Sequence, residues 1–346
     1  MKNFRILSLI LTFAFVLILA ACGGSIGEST SSNGGEADSG LEGSSDSTSG
    51  ETQSVVLTTA GTSGTFYAVG AAFTQIVNNN SNVLDVTNQA SGGSVENVRL
   101  IDNKEVAFAM LGGDSAVDAY NGKREFEGEP RKDELKGLFS MYSQPLNLVA
   151  LADSGIKSFS DLEGKKVAVG APGSGSEVKS QITLESLGLP YDSGVKQQYL
   201  SFSEAADGMK DGQIDAAFVW AGVPTPAVQD LAAIRDIVVI PFTDEEVEKV
   251  NAAQEAIYGE TIPGGTYDGV DEDIQTLAVN TQVVAGADVD EEIVYEFVKQ
   301  IFDHIDDVHA AHNSMKEMTL ESAPKNVIEL HPGAKKYFEE KGVLSQ

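Results

Sequence analysis

Beyond residue 54, short apolar runs alternate with stretches whose apolar residues recur at helical spacing. Segments 55–59, 84–88, 106–111 and 146–151 read as strands, with helical stretches following from Phe66, Val95 and Ala116. A second series of strands falls at 165–169, 214–220 and 237–241, and its helices begin near Ser176, Ser203 and Pro226. Proline suits the first turn of a helix, and Ala227, Val228 and Leu231 then mark a buried face. The alternation predicts an α/β architecture with largely parallel sheets. Two segments share one design. Asn103-Lys104-Glu105 leads into an apolar strand and Gly112-Gly113, and Asp211-Gly212-Gln213 leads into another and Ala221-Gly222. This predicts two similar lobes, residues 55–152 and 153–272. A returning strand at 276–285 and a helix at 290–303 then place residues 273–346 as the hinge strand and C-terminal helices that complete the first lobe. Such a layout closes on a ligand by hinge bending.

The first 54 residues follow a different pattern. Lys2 and Arg5 precede an apolar stretch from Ile6 to Leu19, and Ala20 and Ala21 precede the single cysteine of the chain. Residues 1–21 therefore read as a secretory signal, shorter than the roughly 20 apolar residues of a spanning helix. Leu19-Ala20-Ala21-Cys22 resembles a bacterial lipobox, which implies a lipid on Cys22; a plain signal or an uncleaved anchor helix are the alternatives. A lone thiol excludes a disulfide framework. Two acyl chains give stable anchoring where one gives only marginal binding. Residues 22–54 add a tether of Gly, Ser, Thr and acid, with no Lys, Arg or aromatic residue. That composition predicts disorder, and a coil of this length spans on the order of 30 Å. The expected location is the outer face of the cytoplasmic membrane.

Charge narrows the partners. With 52 acidic against 23 Lys and Arg residues, the formal net charge is −29. So acidic a chain repels nucleic acid and anionic headgroups, although a ligand reads its pocket and not the net charge.

Three loops stand between a strand and a helix: Gly61-Thr62-Ser63-Gly64-Thr65, Ser91-Gly92-Gly93-Ser94 and Gly173-Ser174-Gly175-Ser176. Glycine lets backbone approach a ligand, Ser and Thr offer hydroxyls or helix caps, and a helix start suits a carboxylate or phosphate. None of the three fits the P-loop or the dinucleotide pattern. Each loop alone reads first as a capped helix start; three from both expected lobes shift the reading toward a shared anion site.

The residues Gly61-Thr62-Ser63-Gly64-Thr65-Phe66-Tyr67 and Gly92-Gly93-Ser94-Val95-Glu96-Asn97 resemble the opening of the TAXI solute receptors of TRAP (tripartite ATP-independent periplasmic) transporters. Val169-Gly170-Ala171-Pro172-Gly173-Ser174-Gly175, Asp211-Gly212-Gln213-Ile214-Asp215-Ala216, Ala221-Gly222-Val223-Pro224 and His331-Pro332-Gly333-Ala334 continue the pattern in order. The resemblance implies a two-lobed type II periplasmic-binding-protein fold. It also implies a monomeric, lipid-anchored receptor without cofactor, which delivers a small anionic solute to a membrane permease. Glutamate, glutamine, 2-oxoglutarate or a similar dicarboxylate is the expected ligand class. Gly112-Gly113-Asp114 stands where relatives often carry a more polar segment.

Candidate ligand contacts are Gly61, Thr62, Ser63, Gly64, Thr65, Tyr67 and Ser94 from the first lobe, and Ser174, Gly175, Ser176, Trp220 and Gly222 from the second. Trp220, the only tryptophan, reads as either a pocket wall or core. Tyr142, ahead of Gln144-Pro145, reads as hinge packing. Arg99 reaches a carboxylate only if its helix tips into the cleft. The run from Asp303 to His312 sets Ile305 and Val308 inward and its acids and histidines around the edge, which reads as a solvated face and not a metal site. No Ser–His–Asp set is supported, so catalysis is not expected. The rival readings are a binding protein for an ATP-driven importer or a sensor system, and a hydrolase on the same scaffold.

Overall fold

In a computed structural model of the protein, residues 52–345 are described. The expected signal segment, Cys22 and most of the tether lie outside the described residues.

The first half of the fold runs β1 (Gln53–Thr58), α1 (Thr65–Asn80), β2 (Leu84–Gln89), α2 (Ser94–Asp102), β3 (Phe108–Gly112) and α3 (Gly113–Asn121). Helix α1 forms because Phe66, Val69, Phe73, Ile76 and Val77 share one face, and all five are buried. Strand β3 is buried at every position, as a strand covered on both faces must be. A long strand β4 (Leu135–Leu151) then leads into β5 (Lys166–Ala168), α4 (Gly175–Ser186), α5 (Tyr191–Gly194) and β6 (Lys196–Gln198). The second half continues through α6 (Phe202–Lys210), β7 (Ala216–Trp220), α7 (Pro226–Ala232) and β8 (Ile237–Val239). Pro226 opens α7 as its pattern predicts. The chain ends through α8 (Asp244–Ala253), β9 (Tyr258–Ile262), β10 (Ile274–Gly286), α9 (Glu291–Asp303), α10 (Ile305–Ala311) and α11 (Pro332–Glu340).

The pairing divides the sheet into two lobes with one strand order. In the first it is β2-β1-β3-β10-β4, with β10 antiparallel to its neighbours. In the second it is β6-β5-β7-β4-β8, with β4 in the antiparallel place. Strand β4 belongs to both: its first part flanks β10 in the first lobe, and its second part is the antiparallel strand of the second. The two-lobed α/β fold with hinge crossovers is the architecture expected from the sequence.

The crossover itself is longer than the 146–151 segment legible in the sequence. Pro145 ends the apolar alternation and argues against a central strand. Here it sits where β4 leaves β10 and takes up β7: Pro145 pairs with Ala278 and Leu146 with Trp220. A missing N–H costs little at that switch. Two further elements escape the periodicity argument. Helix α8 buries only Val250, and β9 is an edge strand against β10.

Helices α9 and α11 cover the first lobe. On α9, Val294, Phe297, Val298 and Ile301 are fully buried, and Phe297 stacks on Phe108 at 4.4 Å between centroids. Burying an aromatic of this size contributes about 1.5–3 kcal/mol. No helix among the described residues is long and apolar enough to cross a membrane.

Candidate functional site

The three glycine loops meet. Gly64 N–H donates to Gly61 O at 3.0 Å, which turns the first loop into α1. In the second loop Gly93 adopts φ +119°, a conformation that suits glycine and lets α2 start abruptly. Behind both loops lies Asn97, fully buried. Its amide donates to Thr59 O and Met110 O at 2.7 and 2.8 Å, and its oxygen accepts from Ser91 Oγ at 2.6 Å. One side chain on α2 thus fixes the ends of β1 and β3 and the start of the second loop. In the third loop Ser174 caps α4 by accepting from Glu177 N–H at 3.0 Å, and the Glu177 carboxylate accepts from Gly173 N–H at 2.9 Å.

The lobes are closed on one another. Glu96 N–H donates to Gly173 O at 3.2 Å and Thr65 Oγ1 donates to Gly222 O at 2.7 Å, both across the cleft. A Cβ on Gly175 would lie 2.9 Å from Ser94 Oγ and 3.0 Å from Ser115 Oγ, so glycine is what permits this approach. Between the loops remains a cavity of about 90 Å³. At 10–15 Å³ for each water-sized occupant, that is room for about six to nine of them, the scale of a small metabolite.

Of the residues singled out in the sequence, Gly61, Ser63, Gly64, Thr65, Ser94, Ser174, Gly175, Ser176 and Trp220 line this cavity. Three do not. Thr62 is exposed at the loop tip, and Tyr67 is half-buried on the flank of α1, where its carbonyl accepts from Asn88. Gly222 is packed beneath the wall, where a Cβ would lie 2.6 Å from the Tyr142 ring. Tyr142 is buried against Phe66, ring centroids 6.5 Å apart, as hinge packing requires. Burial, and secondarily Glu317, pushes its hydroxyl well above the ordinary tyrosine range. Arg99 is exposed and away from the cavity.

The sequence reading missed Phe66, Phe202, Gln144 and above all Lys179. Lys179 projects from α4 and is 1% exposed; its Nζ lies 3.4 Å from Asp114 Oδ2 on α3 of the opposite lobe. The same ammonium lies 5.5 Å from the Trp220 ring centroid. Trp220 Nε1 is buried without a hydrogen-bond partner. The ammonium of Lys179 at this wall suits an anionic or acceptor-rich guest.

The histidines serve local structure. His331 Nδ1 accepts from Gly333 N–H at the start of α11, His312 Nδ1 accepts from Ser314 N–H, and burial lowers the pKa of both rings. Among the described residues no three His, Cys, Asp or Glu side chains gather as a metal site.

A family model described as the NMT1-like family matches residues 57–342. The chain belongs to the NMT1-like family. The match spans both lobes of this NMT1-like protein and all three glycine loops. Among solved structures, it is similar to a protein of Bordetella bronchiseptica RB50, at 13% identity over 84% of this chain and 89% of that one, with a TM-score of 0.50. That likeness concerns the fold. Weaker likenesses include the periplasmic aliphatic sulphonate-binding protein of Escherichia coli, at 13% identity over 84% of each chain and a TM-score of 0.43. Another is a probable amino-acid ABC transporter extracellular-binding protein of Bacillus subtilis, at 14% identity over 79% of this chain and 98% of that one and a TM-score of 0.44.

Proposed function

We propose that this NMT1-like protein is a non-enzymatic, extracytoplasmic solute receptor that clamps one small anionic solute between its lobes. The observation that carries the reading is the cavity between the two lobes, walled by the starts of α1, α2 and α4 together with the buried ammonium of Lys179. Each helix start contributes roughly half a positive charge, and a site withdrawn from water makes such partial charges count. A ligand shifts a hinge equilibrium only through contacts it makes better in one state. Here the walls come from both lobes, so those contacts exist together only on closure.

The solute class is glutamate, glutamine, 2-oxoglutarate or a similar dicarboxylate, and the partner is a TRAP-type permease. The residues shared with the TAXI receptors support both assignments. Lipidation of Cys22 would keep the receptor within reach of that permease. Calorimetry against glutamate, glutamine, 2-oxoglutarate and C4 dicarboxylates tests the solute class, with micromolar or tighter binding of at least one expected. A multi-span permease encoded beside the protein supports the transporter assignment; an ATPase pair in its place overturns it.

A further inference from the structure

The charge lining the cavity is compensated from behind. Lys179 is the only charged side chain among the described residues that lines it, and Asp114 stands at its back. The two carboxylate oxygens lie 3.5 and 3.4 Å from Nζ, longer than the roughly 2.7–2.9 Å of a strong charged pair. An ammonium has three donors, so this pairing leaves Lys179 capacity for a further acceptor. Gly112 makes the space: a Cβ there would lie 2.4 Å from Asp114 Oδ1 and 3.3 Å from Lys179 Nζ. The Gly112-Gly113-Asp114 segment is thus the seat of a buried pair that joins the lobes. At the mouth, Glu96 and Glu177 add negative charge, and their carboxylates already accept the N–H groups of Gly92 and Gly173.

We propose that Asp114 is the charge selector of the cleft. With Lys179 neutralised, the cavity prefers, within the proposed solute class, a monoanion such as an acidic amino acid over the dianion of the same skeleton. The inference rests on the solute-receptor reading. A buried charge must be paired or it opposes closure. A dianion brings two charges to a wall whose formal charges cancel, with only helix-start partial charges to meet them. An amino acid replaces one of those charges with its own ammonium.

Glutamate and 2-oxoglutarate differ at one carbon and by one net charge, as do aspartate and oxaloacetate. In whichever pair binds, calorimetry on the wild type is expected to favour the amino acid at least tenfold. Asp114→Asn is expected to move that ratio at least tenfold toward the oxoacid. An unchanged ratio, with both affinities shifted alike, overturns the proposal.

A second measurement needs no organic solute. Trp220 is the only tryptophan in the chain and neighbours Lys179, so its fluorescence reports this wall. Asp114→Asn is expected to raise quenching by iodide relative to acrylamide several-fold, and Lys179→Met to lower it. Equal ratios in all three proteins overturn the proposal. Absence of binding by every pair, with the quenching ratios as expected, instead sinks the receptor reading and leaves the charge assignment standing.

Discussion

The two lobes share a strand order and differ in what they present to the cleft. The first offers backbone. Helices α1, α2 and α3 begin at Gly64, Gly93 and Gly112, which provide no capping side chain. The second offers side chains. Its α4 is capped by Ser174, and the ammonium of Lys179 and the ring of Trp220 form its wall. Away from the cavity, α8 begins with a full capping box between Thr243 and Glu246. A helix start left to glycine forgoes about 1 kcal/mol or less of capping, and forgoes it here where an anion could do the capping instead. One topology thus carries two kinds of wall: glycine-led helix starts facing a capped helix with a buried lysine and tryptophan.

The largest effect that would break this comparison is at the contact between the walls. Gly175→Val sets bulk against Ser94 and Ser115 and should hold the lobes apart. Solute affinity is expected to fall about a hundredfold or more while the melting temperature moves by only a few degrees, since overpacking costs about 1–3 kcal/mol. Binding that survives this variant would mean the site does not need both walls.

A smaller effect sharpens the backbone side. Thr65→Val removes the 2.7 Å bond to Gly222 O, which spans the cleft. A bond of this kind contributes about 0.5–1.5 kcal/mol, so affinity should weaken by about two- to tenfold by calorimetry.

The smallest effect concerns the acid behind the first wall. Burial, then the neighbouring Asp114, raises the pKa of Asp118 from 3.8 to about 6. Between these values the folded protein keeps a proton that the unfolded chain has lost. Stability therefore falls as pH rises through that window and stays lower above it. Asp118→Asn should retain an acceptor for the Gln254 amide, which donates to Asp118 at 3.1 Å, and remove this dependence. The variant also loses the 3.2 Å pairing of Asp118 with Arg124, so the trend is diagnostic: in thermal melts its stability relative to the wild type should rise from pH 4 to pH 7 by about a few degrees. A constant difference across that range would contradict the assignment.

The glycine loops were legible in the sequence because their chemistry is local: glycine and hydroxyl residues at a strand-to-helix junction announce both a turn and a helix start. Lys179 was not. It lies within α4 in a run where a lysine ordinarily faces water, and its partner Asp114 is 65 residues away on the other lobe. Only the tertiary fold brings them together. Thr62 and Tyr67 failed for the opposite reason. They share the motif of the first loop, but the loop tip and the 100° step of the helix turn them away from the cavity. The crossover was half legible, because the proline that hid residues 135–145 from strand assignment marks the switch between lobes.

The central claim is that one small anionic solute is held in the closed cleft. Calorimetric titration of the wild type with the dicarboxylate and amino-acid panel, followed in parallel by Trp220 fluorescence, tests it most directly. The account predicts one site per chain, micromolar or tighter affinity for at least one solute, and a fluorescence change that saturates at the same concentration. No heat and no change in fluorescence across the whole panel would contradict it.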